Sequence, residues 1–143
     1  MAFERLLIGE ILLKRKKITQ EQLDHALAVQ RQENGFLGEI LTTLGYIDER
    51  GIVVALIIQC SLPYIAINKY DLDPGIVGLI PKNTALKERM IPLDRIGNIL
   101  SVVMTNPLSE ERQAMLEDLT KCRIATFIAT KSEIEEAIAR NYN

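Results

Sequence analysis

The sequence is poor in the residues that usually carry chemistry. It has one histidine and two cysteines in 143 residues. Cys60 and Cys122 make neither a metal-ligand spacing nor a disulfide framework. The reading is two reduced, buried thiols in a cytoplasmic protein. Lys121 and Arg123 flank Cys122 and would lower a thiol pKa, but the strand-like setting favours a core residue. His25 stands alone beside the apolar stripe of its helix, with no partner in the sequence for a ligand or base role. Neither G-x-x-x-x-G-K-[ST] nor G-x-G-x-x-G occurs, so no phosphate loop and no dinucleotide fingerprint is available. The carboxylate pairs Glu110/Glu111 and Glu135/Glu136 are adjacent in sequence and do not face each other on a helix. An enzyme is therefore not expected.

Charge of one sign is lacking as well. A net charge of −2 leaves no electrostatic footprint for duplex nucleic acid. No apolar run reaches the ~18 to 20 residues of a membrane helix. The opening MAFERLL has no basic region, apolar core and cleavage site of a signal peptide. What remains, 48% hydrophobic and 25% charged, fits a globular chain of one domain or two small lobes.

The chain repeats itself. Residues 7–30 align without a gap on 36–59. Identical pairs are Gly9/Gly38, Glu10/Glu39, Ile11/Ile40, Leu12/Leu41, Ile18/Ile47, Ala26/Ala55, Leu27/Leu56 and Gln30/Gln59. Glycine and glutamine kept in register point to a true duplication. Each copy reads as a short helix, a turn and a longer helix. Ile8, Ile11 and Leu12 fall at i, i+3, i+4. Thr19 and Gln22 form a capping-box pattern. In the second copy Gly45 suits a left-handed C-cap and Asp48 an N-cap. The stretch IVVALIIQC at 52–60 has almost no polar face, so its helix is expected to be buried on all sides. The basic run at residues 14–17 suits a solvated helix end near the C-terminal dipole. An anion contact, or an acidic partner, is the functional alternative.

Pro63 ends the helical part, and the period changes. YIAIN at 64–68 alternates as a strand. Short helices are expected over 73–79 and 81–90, then a hairpin over 90–104 around a Gly97-Asn98 turn. A helix follows over 110–120 with Ala114, Leu116 and Leu119 as its apolar members. A strand over 122–130 leads to a last helix over 133–141, capped by Ser132 with Glu135. The fold class is α+β: a duplicated helix-turn-helix lobe over 1–62, packed on a small α/β sandwich over 63–143 with a mixed or antiparallel sheet.

These residues resemble a known family, the MshEN-like N-terminal domain of type II secretion and type IV pilus assembly ATPases. The motif R-L-G-x-x-L-x-x-x-G-x-I, followed by a helix ending A-L-x-x-Q, is similar to both copies. The pattern I-P-L…G-x-x-L-x-V-x-M-x-x-P is similar to residues 91–107. The resemblance implies a regulatory or docking module, cytoplasmic and peripheral to the inner membrane through a partner. That partner would be the motor ATPase or a membrane-platform component, with no nucleic acid and no direct membrane insertion. The alternative it implies is a cyclic di-GMP sensor, one half of the ligand on each copy, with no other cofactor and no metal. By the motif, the ligand residues would be Ile8, Gly9, Leu12, Leu27 and Gln30 in the first copy. In the second they would be Leu37, Gly38, Leu41, Gly45, Leu56 and Gln59. The motif's leading Arg is replaced by Leu7 and Phe36, and the later Gly of the first copy by Lys16, which could reach a phosphate. Neither Leu nor Phe offers the planar, charged fork of Arg. The resemblance implies a degraded site on a kept scaffold.

Overall fold

The computed structural model describes residues 2–142; the side chains of residues 2–7 and of Gln59 lie outside the described residues. The chain divides into two compact units between Ser61 and Leu62.

The first unit holds α1 (Ala2–Lys14), α2 (Gln20–Glu33), α3 (Leu37–Thr43) and α4 (Glu49–Cys60). Local signals set their ends. The Thr19 hydroxyl accepts from Gln22 N at 3.1 Å, and the Gln22 side chain accepts from Thr19 N at 2.9 Å, which completes a capping box. Asp48 accepts from Gly51 N at 2.8 Å and starts α4. Ser61, in the left-handed conformation, closes α4, and Pro63 forbids its continuation. Each long helix packs more closely on the other copy's short helix than on its own: α2 lies against α3 and α4 against α1, while α1 and α3 touch each other. The two copies are interlocked. Ile8, Ile11, Leu12, Leu37, Leu41, Ile52 and Leu56 fill the middle.

The apolar stretch of α4 is not buried on all sides. Ile52, Val53, Ala55 and Leu56 are interior, but Val54 is 44% exposed and Ile58 54% exposed. The packing follows the pairing with α1 and α3, which one face of a helix satisfies, whatever the composition of the other. Cys60 is half-buried, whereas Cys122 is buried, its Sγ donating to Thr120 O at 3.4 Å.

The second unit holds a short 3₁₀ turn (Ile67–Lys69), α5 (Pro74–Val77), α6 (Lys82–Glu88), β1 (Met90–Ile96), β2 (Ile99–Met104), α7 (Glu110–Thr120), β3 (Arg123–Ile128) and α8 (Lys131–Asn141). The three-stranded sheet is mixed, in the order β1-β2-β3. β1 and β2 form an antiparallel hairpin from Met90↔Met104 to Ile96↔Ile99. Gly97 supplies the positive φ of 62° that its two-residue turn demands. A bulge between Pro92 and Asp94 shifts the register where proline cannot donate to the ladder. α7 is the crossover that makes β3 parallel to β2. Leu100, Val102 and Met104 of the central strand are fully buried. Ile134, Ala137 and Ile138, at i, i+3, i+4, give α8 its buried face.

Two local expectations are corrected. Residues 64–68 are not a strand: Tyr64 makes one isolated bridge with Ile128, and the chain then winds into the 3₁₀ turn that buries Ile67. The cap of α8 is Thr130 with Glu133, not Ser132 with Glu135. Ala129 N still donates to Met104 O at 3.1 Å, so Thr130 is the first residue free to begin a helix. In α7 only Leu116 of the three apolar residues is buried; Ala114 and Leu119 face outward.

Candidate ligand-binding site

The duplicated motif closes its two turns with the same bonds. In the first copy Lys17 N donates to Leu12 O at 2.9 Å and Lys16 N to Leu13 O at 3.0 Å. In the second, Tyr46 N donates to Leu41 O and Gly45 N to Thr42 O, both at 3.0 Å. Both turns need a residue in the left-handed region, Gly45 at φ 80° and Lys16 at φ 59°. Lysine there costs about 1 to 2 kcal/mol more than glycine. The substitution sets a cation in the middle of four exposed basic residues at 14–17. None of the four makes an ion pair among the described residues.

The expected ligand residues fall into two groups. Ile8, Gly9, Leu12, Leu37, Gly38, Leu41 and Leu56 are interior to the unit. Leu27 and Gln30 are half-buried, and Gly45 and Lys16 are exposed at the two turns. The side chains of Gln59 and Leu7 lie outside the described residues. Gln30 Nε2 donates to Gly35 O at 3.0 Å, which ties the end of α2 to the linker between copies and uses one of its two amide N–H donors. Phe36 is half-buried and is the N-cap of α3, where it offers no side-chain acceptor. A guanidinium at that point would stand beside the first turn of α3.

The two motif glycines have an internal use. A Cβ on Gly9 would lie 2.8 Å from Leu23 Cδ1 and 3.3 Å from Leu37 Cδ2. A Cβ on Gly38 would lie 3.5 Å from Ile52. Leu23 and Ile52 are themselves equivalent positions of the repeat. Each glycine thus receives the first apolar residue of its own copy's long helix.

One feature escaped the sequence reading. His25 Nδ1 lies 2.5 Å from the Tyr46 hydroxyl, with ring centroids 5.7 Å apart. The pair links α2 of the first copy to the turn of the second. The signal was Tyr46 itself, an aromatic where the first turn has Lys17. No group of three or more His, Cys, Asp or Glu is placed to hold a metal among the described residues. No helix among them is long and apolar enough to cross a membrane.

Residues 60–143 match the model of the MshEN domain, and the chain belongs to that family. It is 33% identical over 135 residues to the type IV pilus assembly ATPase PilB of Myxococcus xanthus. It is 29% identical over 137 residues to PilB of Thermus thermophilus. The chain spans only 24% and 15% of the lengths of these two relatives. The structure of MshE with cdg, cyclic di-GMP, is similar with a TM-score of 0.73 at 26% identity, over 94% of this chain and 98% of that one. The N-terminal domain of XpsE has the same fold, with a TM-score of 0.76 at 21% identity over 95% of this chain and 94% of that one.

Proposed function

We propose that the chain is a non-catalytic regulatory and docking domain of a type IV pilus or type II secretion system, and that it works by binding a protein of that system. It turns over no nucleotide by itself. The observation that carries this reading is the use of the repeat as a scaffold. Its glycines accept Leu23 and Ile52, most of its leucines are interior, and Phe36 holds one of the two arginine positions. A partner is further supported by the relatives, which are named as pilus assembly ATPases.

The second reading, a cyclic di-GMP sensor, is favoured by the likeness to MshE with cdg. The exposed cations at 14–17 are the polar groups that would meet a phosphate. Titration calorimetry with cyclic di-GMP separates the two. The docking reading expects weak or no binding by the native chain. It expects measurable binding by Leu7→Arg with Phe36→Arg, since a bidentate Arg contact is worth about 1–3 kcal/mol. Tight binding by the native chain would make the sensor reading the correct one.

A further inference from the structure

The second unit has a groove that its own core does not use. It is an open cavity of about 430 Å³ between α6 and α7. Met90, Leu108 and Leu116 line its floor. Met90 and Leu116 are buried, so the floor is part of the fixed core. The lip is different. Met115 is 64% exposed and Leu119 49% exposed, at i and i+4 on α7. Exposed apolar residues beside an apolar groove mark a contact surface rather than scattered surface leucines. Methionine on the lip adds a side chain that adapts its shape to what it meets.

The groove is held in shape from within. The Arg112 guanidinium pairs with the Glu88 carboxylate and ties α7 to α6. Asp118, also on the lining, is paired with Lys121 at 3.2 Å. Lys87 is therefore the one lining charge without a partner among the described residues. An occupant matched to this groove brings apolar residues for the floor and lip, and an acidic residue for Lys87. Met115 and Leu119, one turn apart on α7, set an apolar spacing that a partner helix laid along the groove matches, with Lys87 on the α6 side to meet its acidic flank.

We propose that the α6–α7 groove docks an amphipathic helix of a partner protein, with apolar residues spaced i, i+3/i+4, i+7 and glutamate on the flank that faces Lys87. The proposal extends the docking reading above by naming a surface and the chemistry of what it takes.

The test uses the whole chain and three synthetic peptides of roughly 18 residues, long enough to hold helix on contact. One has a leucine stripe with a glutamate flank. The second has the same stripe with lysine in place of glutamate. The third has the composition of the first in scrambled order. Amide chemical shifts are followed by NMR during each titration. The glutamate peptide is expected to bind and to shift residues of α6 and α7 only. Met115→Gln with Leu119→Gln, both at exposed positions and checked for an unchanged amide spectrum, is expected to weaken it by about tenfold or more. Lys87→Glu is expected to invert the preference between the glutamate and lysine peptides. Binding of neither peptide, binding of the scrambled one equally well, or a native preference for lysine would overturn the proposal. Shifts at Met115 and Leu119 that grow with protein concentration alone would assign the groove to a second copy of the chain and overturn it too. Peptide shifts confined to other surfaces would reject the groove while leaving the docking reading standing.

Discussion

Gly9 and Leu23 fit together so closely that a single added methyl group would stand 2.8 Å from Leu23 Cδ1. The equivalent pair, Gly38 and Ile52, leaves 3.5 Å, an ordinary contact distance. The two copies of the motif thus share an architecture and differ in tightness.

The difference can be measured. Alanine in place of a helical glycine gains about 1 kcal/mol of propensity. At Gly38 that gain should survive, and Gly38→Ala should be neutral or stabilising by up to about 1 kcal/mol. At Gly9 overpacking of a buried site costs about 1–3 kcal/mol. Gly9→Ala should therefore lose about 1 kcal/mol net. Urea unfolding of both variants checks it; equal effects would mean that the Leu23 side chain moves aside freely.

The two faces of α4 should respond in opposite ways. Leu56 is 3% exposed, and Leu56→Ala should cost about 2–5 kcal/mol. Ile58 faces outward, and Ile58→Ala should change stability by less than about 0.5 kcal/mol. A large loss at Ile58 in thermal or chemical unfolding would show that this face is covered in solution.

The last helix begins where the sheet lets go of the chain. The Thr130 hydroxyl accepts from Glu133 N at 3.1 Å, and Glu133 Oε1 accepts from Thr130 N at 2.9 Å. Glu133 Oε2 also accepts from the Tyr64 hydroxyl at 2.6 Å. Thr130→Ala should cost about 1 kcal/mol. Hydrogen exchange at the first amides of α8 should rise with it, and an unchanged exchange pattern would put the cap elsewhere.

Tyr142 gives the second unit a dependence on alkaline pH. Its hydroxyl lies 2.7 Å from Ile80 O and 3.1 Å from Val77 O, as donor. Burial pushes its pKa up to about 12 from the usual 10. Between those values the unfolded chain ionises and the folded one does not, so stability falls as pH rises from 10 towards 12 and is present in full below 10. The loss should be about 1–2 kcal/mol after discounting for a ring that is only half-buried. Tyr142→Phe should lower stability at neutral pH by about 1 kcal/mol and flatten the alkaline slope. Unfolding curves at pH 8 and in the alkaline range compare the two chains, and an unchanged slope would place the titration on another group.

What the sequence made legible was local. The caps at Thr19 and Asp48, the left-handed Gly45 and the Gly97 turn each depend on a few neighbouring residues, and each is found where the residue types require it. Misreadings arose where distant parts decide. YIAIN alternates like a strand, but β3 offers it one bridge only. Two overlapping cap patterns compete near residue 130, and the length of the sheet ladder selects between them. The absence of a polar face on α4 says nothing about how many helices surround it. At the candidate site, the repeat and its register could be read directly. That Gly9 serves Leu23 could not be, because that contact depends on the angle at which two helices meet.

The pairing of α2 with α3 and of α4 with α1 has a consequence for assembly. A polypeptide carrying one copy would hold a short helix and a long helix each without its larger packing partner. A second such polypeptide supplies both, through a self-complementary, isologous contact. Expressed alone, a single copy should therefore be a homodimer when folded. The tandem chain is that dimer with its two halves joined by a linker, so that its assembly no longer depends on concentration.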